Sequence, residues 1–272
     1  MQVERQNFYK AEELAREVKQ KVREVKEKGE PIDYLTFVSD GEPTLDINLG
    51  REIELLKPLD IKIAVITNAS LIWREDVRED LRKADWVSLK VDAGSKEIWR
   101  KVNRPHKSLE LKAVLDEILQ FASSFNREII TETMLIQGIN DNCEEIGKIT
   151  DFLAQLRPVK AYLAIPTRPP ALKKIKAASE SAINIAYQIF SQKLSNVEYL
   201  IGYEGNAFAS TGKVEDDLLS ITSVHPMREE AITELLKKAN AEWAVVTRLV
   251  EQNKLTETEY QGKKFYARKL PR

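Results

Sequence analysis

The chain of 272 residues holds one cysteine, Cys143, and two histidines, His106 and His225. One thiol excludes an internal disulfide framework, and so few nitrogen and sulfur ligands argue against a closed zinc site. No stretch approaches the roughly 18 consecutive apolar residues of a membrane-crossing helix. The start, Met1-Gln2-Val3-Glu4-Arg5-Gln6, lacks the apolar core of a signal peptide. A cytoplasmic location with no membrane partner is therefore expected. Charge of one sign is lacking as well. Lys and Arg number 42 against 43 Asp and Glu, a net charge of −1. Nothing global draws the chain to nucleic acid, and anion binding has to come from local patches. No Gly-x-Gly-x-x-Gly occurs, which argues against a dinucleotide-binding enzyme.

What is present is the composition of a folded, soluble protein, 43% hydrophobic and 31% charged. Its length suits one large α/β domain with a small second one. The abundant Lys, Arg and Glu fit either ion-pair-rich surfaces of the thermophile kind or many exposed helix faces.

From residue 9 to about 201 the pattern alternates helix and strand. Strands are expected near 32–38, 61–66, 85–91, 128–136 and 159–165, with a sixth near 197–201. Helices are expected near 9–28, 48–57, 74–83, 95–101, 108–125, 143–156 and 178–194. Asn142 followed by Glu145 reads as a capping box. Repeated βα units imply a parallel sheet with right-handed crossovers. Five or six units are too few for an eight-stranded barrel and suit a partial barrel or an open doubly wound sheet. Residues 1–204 form this domain and 205–225 read as a linker. Residues 226–272 read as helix, turn, helix and hairpin, similar to a winged helix-turn-helix.

Active sites of such sheets gather at strand ends, and four ends here carry conspicuous groups. Gly41-Glu42-Pro43 offers a tight backbone turn and a carboxylate for a cationic amine. Thr67-Asn68 closes the second strand, as a helix-leading turn or a ligand contact. Alternation places Ser88, Lys90 and Asp92 on one face of the third. Lys90 there pairs with Asp92 or Glu42, or meets a ligand; a buried lysine of lowered pKa would also suit a Schiff base. On the fourth, Glu132 and Thr133 precede the turn Gln137–Asp141.

These stretches resemble the radical S-adenosylmethionine (SAM) superfamily over about seven tenths of the chain, residues 9–201. The branch most similar is that of Fe–S oxidoreductases related to wyosine-forming tRNA enzymes. The likeness rests on SDGEPTL (39–45), ITNASL (66–71), SLKVDA (88–93), KVNRPH (101–106) and LIQGIND (135–141), in that order. It implies a radical SAM-like partial barrel of five to six parallel strands. It implies that Glu42, with the Gly41 backbone, receives the amino group of SAM, with Pro43 in the same cofactor-binding loop. Ser88, Lys90 and Asp92 would meet its ribose and carboxylate, with Thr67 and Asn68 lining the same cleft. Glu132 and Ile139 would lie near the adenosine and Ile165 near the adenine edge. In such enzymes a reduced 4Fe–4S cluster cleaves SAM to methionine and a 5′-deoxyadenosyl radical, fed by an electron donor.

The cysteines of that family, spaced Cys-x3-Cys-x2-Cys, are not in this sequence. The cluster is therefore not bindable by the chain as written, and the chain alone is expected to be inactive. Two explanations are open: that Met1 is internal to a longer protein, or that the protein kept the fold for binding only. The first is favoured.

For the substrate, two basic clusters follow strand ends: Arg104, His106 and Lys107, then Arg168, Lys173 and Lys174. They point to RNA or another polyanion, or to solvated loops. In residues 228–272, ten basic residues face seven acidic ones. The hairpin pairs Lys263 and Lys264 with Phe265 and Tyr266, as nucleic-acid binders do. A non-catalytic nucleic-acid-binding or regulatory protein, using this module for nucleic acid or protein contact, is the alternative function.

Overall fold

The computed structural model describes all residues except 1, 39–40, 171, 173, 202–207, 209, 225 and 270–272. Ser39, Asp40, Lys173 and His225 therefore lie outside the described residues. Two compact units emerge, one of residues 1–15, 34–166 and 174–202, the other of residues 16–33, 167–173 and 203–272. Among the described residues no helix is long and apolar enough to cross a membrane.

The first unit is built on six strands: β1 (Tyr34–Phe37), β2 (Lys62–Thr67), β3 (Trp86–Lys90), β4 (Glu128–Met134), β5 (Lys160–Ala164) and β6 (Val197–Leu200). All pair in parallel and lie in sequence order. Right-handed crossovers between strands that never reverse order put every helix on one side of the sheet. That is the wrap of a partial barrel, and it decides against the doubly wound alternative.

The register sorts the side chains. Ile63, Val65, Val87, Leu89, Ile129 and Leu163 share the helix-covered face and are buried. Lys62, Trp86, Lys90, Ile130, Glu132 and Tyr162 share the opposite face and stay partly or wholly exposed, while Ala64 and Ser88 on the same face are buried. Parallel sheets are ordinarily covered on both faces, so a largely open face with charged residues on it marks a cleft.

The helices of this unit are α2 (Leu49–Leu56), α3 (Glu75–Leu81), α4 (Lys96–Val102), α5 (Leu111–Ser124), α6 (Cys143–Leu156) and α7 (Glu180–Ser191); α1 (Ala11–Glu27) precedes them in sequence and falls mostly in the second unit. Local chemistry sets their ends. The Asn142 side chain accepts from the Glu145 amide at 3.0 Å and starts α6. Arg157, at φ 54°, and Pro158 stop it. Only half of the expected capping box forms. The Glu145 carboxylate turns away to accept from the Gly94 and Ser95 amides, at 2.7 and 2.9 Å, and from the Ser95 hydroxyl at 2.7 Å. It thus caps α4 instead of α6, because a buried carboxylate gains more from two unsatisfied helix-start amides and a hydroxyl than from one. Gly94 permits this approach. A Cβ there would sit 2.4 Å from the Lys148 Cβ and 2.9 Å from its carbonyl carbon.

In the second unit α8 (Val214–Val224) occupies most of the stretch read from sequence as a linker. The reading failed because Ser210-Thr211-Gly212 looks like a loop; it is the cap of α8. Buried Asp217 accepts from the Ser210 hydroxyl, the Thr211 amide and the Thr211 hydroxyl at 3.0, 2.8 and 2.7 Å. Then follow β7 (Met227–Arg228), α9 (Glu229–Lys238), α10 (Ala244–Glu251), β8 (Leu255–Tyr260) and β9 (Lys263–Arg268). The three strands form an antiparallel sheet of order β7-β9-β8. Leu218, Met227, Ile232, Leu235, Leu249 and Tyr266 pack into its core.

Candidate functional site at the strand ends

Four consecutive strand ends join in two pairs, β1 to β2 and β3 to β4, through hydrogen bonds that sequence spacing does not reveal. Glu42, 7% exposed, leaves β1 and reaches β2. Its Oε1 accepts from the Thr44 amide at 3.1 Å, the Thr44 hydroxyl at 2.7 Å and the Thr67 hydroxyl at 2.6 Å. Its Oε2 accepts from the Asn68 amide at 2.7 Å. Burial pushes the Glu42 carboxyl up from its ordinary value, and these four donors pull it partly back. Beyond Thr67 the chain turns sharply. Ala69 is buried at φ 57°, the Thr67 hydroxyl accepts from its amide at 3.0 Å, and the Asn68 side-chain oxygen accepts from the Ser70 amide at 2.9 Å. A left-handed alanine costs of order 1 kcal/mol and persists only where its surroundings fix it.

At the end of β3, the buried Asp92 carboxylate likewise finds partners within the protein. Its Oδ1 accepts from the Met134 amide at 2.9 Å, and its Oδ2 from the Asn103 side-chain amide at 2.8 Å. Asn140, wholly buried, joins the same junction. Its amide donates to the Asp92 and Met134 carbonyls at 2.9 and 2.8 Å, and its oxygen accepts from the Ile136 amide at 2.7 Å. Gly138, at φ 69°, makes the turn that lets Asn140 fold back.

Lys90 and Glu132 are cross-strand partners on the open face, with Nζ 3.4 Å from Oε1 and side-chain exposures of 26% and 21%. The partner of Lys90 is thus Glu132 on the neighbouring strand, not Glu42. Burial pulls the Lys90 pKa down, but Asp92 and Glu132 more than offset this and leave it above the ordinary lysine value. A lysine held charged does not suit Schiff-base chemistry. Ser88 shares this face, and Ile139 and Ile165 stand half-buried at the ends of β4 and β5. Pro43 is buried beneath the first loop and Gly41 is exposed on it.

Of the basic residues, Arg104 is exposed at φ 46° one residue beyond Asn103. His106 caps its own turn through Ser108, 2.7 Å away, and Lys107 and Lys174 are exposed. Arg168 belongs to the second unit. Two strand-end junctions result, one of Glu42 with Thr67 and Asn68, the other of Asp92 with Asn103 and Asn140, and the open face presents Lys90 and Glu132, with Ser88 buried on the same side of β3. Sequence reasoning missed Asn103, Asn140 and Glu145. The two asparagines lay within KVNRPH and LIQGIND, but only the fold shows that they reach Asp92 and its neighbours.

The model of the radical SAM superfamily matches residues 2–153. UPF0026 protein MJ1312 of Methanocaldococcus jannaschii is 46% identical over 98% of this chain and 84% of its own length. The chain belongs to the radical SAM superfamily. UPF0026 protein slr1464 of Synechocystis is 35% identical over 53% of this chain and 54% of its own length. Among solved structures, a radical SAM methyltransferase from Sphaerobacter thermophilus aligns over 72% of this chain and 59% of its own, with TM-score 0.54 and 16% identity. TYW1 with a lysine–pyruvate adduct aligns over 69% and 64%, also with TM-score 0.54 and 16% identity. These two show the shared fold.

The superfamily implies SAM and a 4Fe–4S cluster. SAM brings an ammonium, a carboxylate, a ribose diol and an adenine ring. A face with a fixed lysine, a glutamate, a serine hydroxyl and half-buried isoleucines is chemically complementary to those groups. The cluster is another matter. Cys143, the one thiol in the sequence, is exposed at the first position of α6. Among the described residues no group of three or more His, Cys, Asp and Glu is placed to hold a metal ion. The residues present do not fit a cluster held by three cysteines.

Proposed function

We propose that this chain is the SAM-binding partial barrel of a radical SAM enzyme, with the ligand laid against the open face of the sheet. The carrying observation is that face itself, largely uncovered in a parallel sheet, carrying the Lys90–Glu132 pair and bounded by strand ends bonded in pairs. SAM, when bound, supplies a carbon–sulfur bond for reductive cleavage. The chain's own residues orient it. Lys90, kept charged by Asp92 and Glu132, meets the carboxylate of the methionine. Ser88 offers a hydroxyl to the ribose. The loop at Gly41 and the side chain of Asn68 bound the methionine end, and Ile139 and Ile165 provide apolar surface for the adenine. The single cysteine supports the further reading that this chain alone does not generate a radical. The substrate is proposed to be anionic, RNA among the candidates, approaching past Arg104 and Lys107.

Calorimetry with SAM tests this. The unsubstituted chain binds, and Lys90→Met weakens binding at least tenfold. Anaerobic loading with iron and sulfide leaves no stoichiometric cluster on the chain. Absence of SAM binding, or a variant equal to the parent, overturns the reading.

For the second unit, a winged-helix-type module is supported by its order of helix, short strand, two helices and hairpin, with β7 closing the sheet. Its charges favour protein contact over nucleic acid. Arg248 and Lys254 both pair with Glu215, Lys263 with Glu230 and Lys264 with Glu257. Salt-dependent binding of a fluorescent RNA to the full chain would restore the nucleic-acid reading.

A further inference from the structure

The resemblance to known enzymes assigns Glu42 to the amino group of SAM, but the geometry points elsewhere: we infer that Glu42 is a positioning residue, not a ligand contact. It clips the ends of β1 and β2 together and so aims the Asn68 side chain. The inference rests on the reading of the cleft as a SAM site, and deepens it.

Three observations carry it. Glu42 already receives four donors from Thr44, Thr67 and Asn68, three on Oε1 and one on Oε2, all from within the protein. Its side chain is buried at the junction, not presented on the open face. The turn it holds, Thr67–Ser70, contains a buried left-handed alanine, which needs outside bonds to persist. Two of the four donors, the Thr67 hydroxyl and the Asn68 amide, come from that turn. Thr67 extends the hold, since its oxygen accepts from the Ala69 amide. Asn68 is the half-buried residue at the apex, and its side-chain oxygen is committed to the Ser70 amide. Its amide nitrogen has no partner among the described residues and is therefore the group the clip delivers to a ligand.

The chemistry of a single substitution separates the two roles. In Glu42→Gln the retained oxygen continues to serve the Thr44 and Thr67 donors. The new NH2 then opposes the Asn68 amide, donor against donor. Hydrogen exchange on the ligand-free full chain should therefore accelerate at least tenfold at Asn68 and stay unchanged at Thr44. Thr67→Val should accelerate Ala69 as well. A residue kept only to contact ligand predicts no change at any of these amides, and that result overturns the inference.

A second reading uses affinity for SAM. If Glu42 acts through the turn, Glu42→Gln and Asn68→Ala are not additive. The double variant binds no more weakly than Asn68→Ala alone, and each variant keeps the parent's preference for SAM over its deaminated analogue. Additive losses, or a preference that vanishes in Glu42→Gln, overturn the inference. Should the unsubstituted chain bind no SAM, the reading of the cleft fails, and the exchange pattern alone decides whether Glu42 is the clip.

Discussion

The two faces of the six-stranded sheet come from the same strands and have opposite characters. Val87 and Leu89 of β3 are fully buried under helices, while Trp86 and Lys90, their immediate neighbours, remain partly open. The covered face resembles the interior of any α/β protein, with Ile63, Val65 and Leu163 continuing the layer. The open face carries charge that a second helical layer would forbid, since a buried ion costs several kcal/mol unless it is well paired. The contrast teaches that one face specifies the fold and the other is left for a ligand. Substitutions on the two should therefore act on different observables.

The sharpest way to break this contrast is to cut into the covered face. Leu89→Ala should lower stability by about 2–5 kcal/mol, read from the urea midpoint, and a loss under about 1 kcal/mol would show that the layer is loosely packed. Asn140→Ala comes next. It strands two buried carbonyls and an amide at the junction of β3 and β4, and roughly 3 kcal/mol should be lost in the same assay.

The covered side also holds buried charge, and one such group gives a test by pH. Glu52 of α2 is 2% exposed, with no partner for Oε1. Burial, then Asp46 and Asp80, push its carboxyl up from 4.5 to about 7. The folded state therefore holds a proton that the unfolded state has released. The stability tied to it is full below 4.5 and is lost as pH rises through about 7. Glu52→Gln should leave stability at about pH 4 unchanged and raise it at about pH 8 by as much as about 3 kcal/mol. Arg5, whose guanidinium pairs with Asp76 and Asp80 beside this glutamate, should remain bound in both forms. Equal pH profiles for the two proteins would remove Glu52 as the cause.

The smallest effect on stability belongs to the open face. Replacing both Lys90 and Glu132, as Met and Gln, should shift the midpoint by no more than about 1 kcal/mol, because the pair is part-exposed and 3.4 Å apart. SAM affinity should fall at least tenfold. A large stability loss with unchanged affinity would make the pair structural and dissolve the contrast between the faces.

Much of this was legible beforehand. All six strands fall where alternation and β-branched runs place them, and Lys90 faces the cleft as its period-two position requires. The capping position Asn142 was legible too, but the destination of Glu145 was not, because Gly94 and Ser95 are some fifty residues away. Helix α8 was hidden by a cap that reads as a loop. Of the two partners a sequence argument offered Lys90, Asp92 does act on it electrostatically, but the ion pair forms with Glu132 on the adjacent strand.

The sequence by itself determined the order of βα units, the alternation that separates a buried face from a polar one, and a single thiol where a cluster needs three. These are properties of composition and period, carried by each segment alone. Tertiary structure decided which polar groups meet across segments. Glu42 and Asp92 look equally available on paper, yet folding buries each against donors from the next strand. Hydrogen-bond partnership depends on ångström-scale register between strands distant in the chain, and no spacing along one strand encodes it.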